Sequence, residues 1–257
     1  MINYKHIIKK IFNCFTNNIL INNVMILFRL DGYFKNIRYW RSAQISRDRP
    51  LSAQVGYSDY PEVRETLEKI HSELKASKEL FFPGKAKILD VGCGPGLFLS
   101  DFSPENELTG IDLSLQFIKI ASERLSCAEF LNGDVMTAEF NKKFDLIYAI
   151  NILQYINRSG IDKFFKRIFD LLEPAGILFM VYPHALSLWD TMYPDRTYIQ
   201  YSPLLIRDIA RKYFKIIKHQ HVFDGRIVGR HDIKTYKNEK LDRLCKNNYL
   251  FIARRNI

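Results

Sequence analysis

Three glycines, Gly92, Gly94 and Gly96, lie within five residues, directly after an apolar run and before residues with helical spacing. The stretch reads KILDVGCGPGLFLSDF, residues 87–102. Glycine loses more backbone freedom on folding than any other residue, so a cluster at this junction indicates a sharp bend or the close approach of a ligand. The stretch therefore predicts a strand, a ligand-binding loop and a helical turn, in that order.

Short apolar runs alternate with amphipathic stretches along the rest of the chain. Strands are predicted at AKILDVG, LTGIDL, AEFLNGD, KFDLIYAI, GILFMVYP, KIIKHQHVF and NYLFIARR. Helices are predicted at PEVRETLEKIHSELKAS, LQFIKIASERL, GIDKFFKRIFDLL and SPLLIRDIARKYF, the second of them capped by Ser114. Such alternation indicates an α/β fold with a mostly parallel sheet covered on both faces. Ligands of such sheets bind at the carboxyl ends of the strands.

The glycine loop has the spacing GxGxG, with Asp90 two residues before the first glycine. A dinucleotide-binding fingerprint would place its third glycine at position 97, where this chain has Leu97. The loop instead resembles motif I of the class I S-adenosylmethionine-dependent methyltransferases. The later segments FDLIYAINILQYI and LLEPAGILFMVYP resemble that family in the same order, so the likeness covers residues 85–183. It is greatest to the subgroup that methylates small molecules, sugars and lipids.

This resemblance implies a fold, a cofactor and a set of binding residues. The fold is a Rossmann-like, doubly wound, seven-stranded sheet with helices on both faces and an antiparallel last strand. The cofactor is S-adenosylmethionine. Asp112 would bind the ribose hydroxyls, since a carboxylate accepts two hydrogen bonds from a vicinal diol. The remaining implied contacts are the motif I residues Asp90, Gly92, Gly94 and Gly96, the adenine contacts Asp134 and the Val135 backbone N–H, and the small pocket residue Ala149.

The candidate catalytic residues are His184 and Tyr155. Many relatives have a histidine after strand four, where this chain has Gln154 and Tyr155. Tyr155 is predicted either to orient the substrate or to pack in the core. His184 directly follows strand five and is the candidate general base; an ordinary loop histidine is the alternative. His219 and His221 share one face of a strand, but no third ligand has a diagnostic spacing, and no metal is predicted.

The net charge of +10 is concentrated at the two ends of the chain. Residues 1–50 hold 9 Lys and Arg against 2 Asp and Glu, and residues 205–257 hold 14 against 5. We predict an N-terminal, basic, partly amphipathic helical extension at 1–60 and a methyltransferase domain at 61–257. The extension is expected to contact an anionic membrane surface, to cover the domain as a lid or to form a dimer contact, and these alternatives stay open. The oligomeric state is not predicted.

Two inserts, 183–202 and 224–247, are predicted to shape acceptor specificity. They mix aromatic rings with cations: Trp189, Tyr193, Tyr198, Tyr201, Arg226 and Arg230. Ring faces stack on sugars and arginines pair with phosphate, so a sugar hydroxyl in surface-polysaccharide biosynthesis is the predicted acceptor within the wider class of small molecules, lipids and glycans. The alternatives are an RNA methyltransferase that uses the basic ends and a non-catalytic cofactor-binding partner subunit.

The four cysteines lie far apart, without a CxxC pair, and no secretory signal is evident. This pattern indicates a reducing compartment. The predicted location is therefore the cytoplasm, with peripheral contact at the inner face of the membrane as an option for the N-terminal helix.

Overall fold

The computed structural model describes residues 61–183, 201–223 and 248–256. The predicted N-terminal extension and most of both predicted inserts lie outside these residues. So do the candidate base His184 and the acceptor-surface residues Trp189, Tyr193, Tyr198, Arg226 and Arg230.

Seven strands form one sheet in the order β3-β2-β1-β4-β5-β7-β6. The strands are β1 Lys87–Val91, β2 Glu107–Asp112, β3 Ala128–Asn132, β4 Phe144–Ile150, β5 Leu172–Pro183, β6 Phe214–Phe223 and β7 Asn248–Arg255. Strands β1 to β5 pair in parallel, whereas β7 runs antiparallel to both β5 and β6. The predicted fold class is confirmed. The order reverses between β1 and β4, where ligands of such sheets bind.

Four α-helices cover the sheet within the described residues. They are α1 Pro61–Phe81, α2 Leu115–Arg124, α3 Ile161–Leu171 and α4 Pro203–Ala210, with 3-10 turns at Leu99–Asp101 and Leu153–Tyr155. The predicted cap of α2 is present, since the Ser114 hydroxyl accepts a hydrogen bond from the Phe117 amide. None of the helices in the described ranges is both long and apolar enough to cross a bilayer.

The core lies on both faces of the sheet because successive strand residues point in opposite directions. On one face Leu89, Val91 and Ile147 pack with the apolar side of α3, and on the other Ile88 and Leu146 pack with α1. Burial on both faces explains why β1 and β4 are almost wholly apolar in sequence.

Three predicted boundaries were wrong. Helix α1 continues to Phe81, four residues beyond its predicted end. Strand β5 begins at Leu172, directly after α3, and not at Gly176. An irregularity in its pairing with β4, between Phe144 and Leu146, absorbs the extra residues. A Cβ at Gly176 would lie 2.9 Å from the Glu173 carbonyl oxygen, so the bulge requires glycine there. Helix α4 ends at Ala210, because Phe214 already pairs with β7.

Candidate functional site

The glycine loop follows β1 in a backbone conformation that glycine adopts readily. The φ angles of Gly92, Gly94 and Gly96 are 73°, 51° and 77°. A Cβ on Gly92 would lie 2.0 Å from Cδ1 of Ile152, a residue that follows β4. The loop therefore bends sharply and packs closely against the β4 side, as the glycine cluster predicts.

Asp112 at the end of β2 is tied to this loop. Its Oδ2 accepts a hydrogen bond of 2.9 Å from the Gly94 amide, and its Oδ1 accepts one of 2.8 Å from the Ser114 amide. Burial raises the pKa of Asp112, and these two amides offset part of that shift. Each carboxylate oxygen keeps a second lone pair, so the fixed carboxylate still has capacity to accept donors from a ligand.

Asp90 lies beneath the loop, inside β1, and is only 2% exposed. Its Oδ2 has no hydrogen-bond partner among the described residues. Burial raises the pKa of Asp90 well above its usual value. Tyr148, its neighbour on β4, offsets part of that shift, although the two side chains make no hydrogen bond of standard geometry. A buried carboxyl without a partner fits a site completed by a cationic ligand.

The loop after β3 reaches the same edge of the sheet. The Gly133 amide donates a 3.0 Å hydrogen bond to the Asp112 carbonyl, which brings Asp134 next to the end of β2. Asp134 closes its own turn, since its Oδ1 accepts 2.9 Å from the Met136 amide and its carbonyl accepts from the amides of Thr137 and Ala138. The Val135 side chain is buried in the core. The structure therefore brings the glycine loop, Asp112 and Asp134 together at one edge.

The segment after β4 carries the other predicted site residues. Ala149 is fully buried within β4 and contributes to the core. Asn151 has a φ of 57°, and its amide donates a 2.8 Å hydrogen bond to the Val181 carbonyl. Tyr155 is half-buried in the 3-10 turn. Gln154 beside it is only 2% exposed, and no described residue bonds its Oε1.

Tyr201 corrects one prediction about the acceptor surface. The sequence places it among aromatic rings that face a sugar, but the residue is 1% exposed. Its hydroxyl donates a 2.6 Å hydrogen bond to the Ile156 carbonyl, which ties the segment before α4 to the segment after β4. A ring buried on both faces offers nothing for a ligand to stack on.

A tyrosine and a histidine that are distant in sequence, Tyr182 and His219, meet at the carboxyl end of β5. The Tyr182 hydroxyl and His219 Nε2 are 2.6 Å apart, and the His219 ring packs against Tyr249 and Phe251. Burial raises the pKa of Tyr182. The alternation of histidines placed His219 on a strand, but the pairing needs β7 between β5 and β6, which the sequence pattern does not specify.

Comparisons with known proteins agree with this geometry. Residues 88–176 match a family described as a methyltransferase domain. The chain is 35% identical over 101 residues to the trans-aconitate 2-methyltransferase of Paracidovorax citrulli, which covers 37% of this chain and 38% of that protein. It is 31% identical over 122 residues to the Escherichia coli protein of the same name, covering 42% and 48%. The chain thus spans less than half the length of these two curated relatives.

Solved structures show the same fold over more of the chain. The N-methyltransferase NodS from Bradyrhizobium japonicum, in complex with S-adenosyl-L-homocysteine, has a TM-score of 0.62 at 17% identity, covering 88% of this chain and 100% of that one. The magnesium protoporphyrin IX methyltransferase of Synechocystis, also with S-adenosyl-L-homocysteine bound, has a TM-score of 0.57 at 15% identity, covering 91% of this chain and 99% of that one.

The match over residues 88–176 and the fold shared with these solved structures are those that the motif I resemblance implies. The residues present fit the cofactor: the glycine loop bends without side chains at three positions, Asp112 is held rigidly, and the Asp90 carboxyl has an unused oxygen. Within the described residues, no group of three metal-ligating side chains is present.

Proposed function

We propose that the protein transfers a methyl group from S-adenosylmethionine to a small-molecule acceptor. The observation that carries this proposal is the Gly94–Asp112 hydrogen bond, which joins the glycine loop and the β2 carboxylate into one rigid cradle. The family of the domain and the names of its relatives support the same reaction class. When bound, the cofactor supplies a methyl group on a positively charged sulfur, already a good leaving group.

We assign the cofactor contacts as the sequence predicts them. Asp112 accepts from the ribose hydroxyls, Asp134 accepts from the adenine amino group, and the Val135 backbone N–H donates to the ring. The glycine loop and Asp90 hold the methionine end, whose ammonium and sulfonium charges favour the ionised carboxylate. Ala149 stays a predicted neighbour of the pocket, although its methyl group belongs to the core.

The protein contributes mainly orientation and exclusion of water. Holding an acceptor in line with the methyl group supplies roughly 7–11 kcal/mol of the barrier. A hydroxyl acceptor also needs a general base, which contributes about 10²- to 10⁴-fold. His184 remains the proposed base and Tyr155 the proposed orienting residue. Tyr155 lies at the carboxyl end of β4, on the side that packs against the glycine loop through Ile152.

Calorimetry with S-adenosylhomocysteine, the stable product, tests the cofactor site. We expect the wild-type protein to bind one equivalent and Asp112→Asn to bind about 10- to 100-fold more weakly, because hydrogen bonds to a charged group contribute about 1.5–3 kcal/mol. Asp208→Asn, on the exposed side of α4, is the matched control and should bind as the wild type does. Absence of binding by the wild-type protein would refute the proposal.

The acceptor requires a separate experiment. The names of the relatives include a methyltransferase for trans-aconitate, an acid, and an N-methyltransferase, so the acceptor atom differs among similar proteins. The sugar hydroxyl is the narrower proposal, and its support is the composition of the two inserts. Methyl-labelled cofactor, incubated with the protein and fractionated cell extract, should label a low-molecular-weight or polysaccharide fraction. Label in RNA would favour the alternative, and no label at all would favour a non-catalytic subunit.

A further inference from the structure

Arg167, on α3, reaches across to the loop that follows β3. Its Nε donates a 3.0 Å hydrogen bond to the Val135 carbonyl, and its Nη2 donates to the Ala138 carbonyl. The guanidinium also lies over the Phe140 ring, 5.9 Å from its centre. Among the described residues no carboxylate pairs with Arg167, so the guanidinium is committed to backbone oxygens of this one loop.

The peptide group that Arg167 contacts is also hydrogen-bonded to Asp134. The Val135 carbonyl and the Met136 N–H belong to the same peptide group, and that N–H donates 2.9 Å to Asp134 Oδ1. A cation bonded to the carbonyl oxygen polarises the peptide and strengthens the N–H as a donor. Arg167, one peptide group and the Asp134 carboxylate therefore form a continuous hydrogen-bonded chain.

Arginine has a geometry that lysine lacks for this position. The planar guanidinium presents several donors in a fixed fork, and here two of its nitrogens bond two carbonyls three residues apart. An ammonium on a flexible stem is a point charge that does not impose an orientation on both carbonyls. The loop also closes on itself through bonds from Thr137 and Ala138 to the Asp134 carbonyl. Those bonds fix the turn, whereas Arg167 fixes its position against α3.

We propose that Arg167 is a positioning residue for adenine recognition: through the Val135–Met136 peptide it sets the direction of the Asp134 carboxylate. This inference rests on the proposed function, in which Asp134 accepts from the adenine amino group. Helix α3 therefore influences which cofactor is preferred, although it does not contact the cofactor. Arg167 is thus proposed to affect which ligand the protein prefers and not the stability of the fold. The two effects can be measured separately.

The test compares two ligands by calorimetry. S-adenosylhomocysteine carries the amino group that Asp134 is proposed to accept from, and S-inosylhomocysteine carries an oxygen in its place. We expect the wild-type protein to prefer the adenosyl compound by about tenfold or more. Arg167→Met should lose most of that preference, mainly by weaker binding of the adenosyl compound. Arg167→Lys should lose it in part. Lys163→Met, an exposed cation on the same helix, should keep it.

A double-mutant cycle separates positioning from a general loosening of the loop. If Arg167 acts through Asp134, Asp134→Asn and Arg167→Met together should reduce the ligand preference no more than Asp134→Asn alone. Additive losses would overturn the inference. So would a variant Arg167→Met that melts earlier but retains the wild-type preference. A wild-type protein that binds both ligands equally would also overturn it, whereas failure to bind either ligand would refute the proposed function itself.

Discussion

Ile152 occupies the space that a side chain at residue 92 would need. The glycine loop and the segment after β4 therefore share one packed contact, in which the loop contributes bare backbone and the other segment an isoleucine. The proposed cofactor loop and the proposed acceptor side of β4 are thus in direct contact. Small changes at either residue are expected to affect both ligands.

Gly92→Ala should weaken cofactor binding, because φ at this residue is 73° and because its Cβ would lie 2.0 Å from Ile152 Cδ1, so that the Ile152 side chain has to shift. The strain from φ alone costs about 1–2 kcal/mol. Gly84→Ala is the matched control, since a Cβ at Gly84 meets no atom within 4 Å. Calorimetry with S-adenosylhomocysteine and thermal melts measure both. Wild-type affinity in Gly92→Ala would contradict the close-contact account.

Asp90→Asn should make the ligand-free protein more stable than the wild type as the pH rises. Burial raises the pKa of Asp90, so the stability that its neutral form provides is present below the ordinary carboxyl pKa of about 4 and is lost as the pH rises through the raised value. Asparagine carries no such charge. The difference in unfolding free energy should therefore grow by about 1.4 kcal/mol for each pH unit between the ordinary pKa and the raised one.

Urea denaturation of the two proteins between pH 5 and pH 8 measures this difference. Asp90→Asn should bind the cofactor more weakly than the wild type, although it is more stable, because the variant cannot offer a negative charge to the methionine end. Glu105→Gln, at an exposed carboxylate, serves as the control for a general charge effect. Parallel pH curves for wild type and Asp90→Asn would show that Asp90 is not the source of the dependence.

At the scale of elements, the strands that lie deepest were predictable from sequence. Strands β1, β2 and β4 carry their apolar residues on both faces because both faces are buried, and the sequence of helix α3 shows an apolar stripe. The start of β5 was not predictable, since it depends on a bulge in its pairing with β4. Nor was the Arg167 contact, because an arginine on a half-polar helix looks like any solvated cation until the β3 loop is placed against it.

The candidate site was also predictable from sequence only in part. The acid and glycine positions follow a spacing that the family motif records, and the structure brings Asp112 and Asp134 to the loop as that spacing implies. Contacts between residues that are distant in the chain leave no local pattern in the sequence. Tyr201 bonding Ile156 and Tyr182 meeting His219 depend on which strands become neighbours, so neither could be read from the residues alone.

Phe164→Ala in α3 should destabilise the protein by about 3–5 kcal/mol, because Phe164 is fully buried between α3 and the sheet. Lys166→Ala on the exposed side of the same helix removes a surface ion pair with Asp170 and a cation–ring contact with Phe169, and should cost about 1 kcal/mol. Urea denaturation measures both variants. Equal costs would mean that α3 contributes helix propensity and not core packing.

At the scale of the whole molecule, one continuous sheet links the cofactor edge to strands that hold no proposed cofactor residue. The proposed contacts lie at the ends of β1, β2 and β3 and, with Ala149, in β4, whereas β7 lies on the far side of the sheet, beyond β5. Core residues on both faces join the two halves. We therefore expect the described domain to unfold as one cooperative unit.

Hydrogen exchange tests this expectation. At an S-adenosylhomocysteine concentration of about 100 times the dissociation constant, binding stabilises the folded state by about 2.7 kcal/mol. The slowest amides of β7 should then exchange about 100-fold more slowly. The Asp112→Asn variant at the same concentration should show a much smaller effect. Protection confined to β1, β2 and β3 would indicate two units that unfold separately.

Strand β7 lies between β5 and β6 in space but follows both in sequence. During synthesis on the ribosome, β5 and β6 leave the exit tunnel with a strand-wide gap between them that neither can fill. The sheet is completed only after residues 248–255 emerge, and until then two unpaired strand edges are open to other chains. A chain truncated before residue 248 would therefore contain every strand with a proposed cofactor contact and still leave the facing edges of β5 and β6 without a partner.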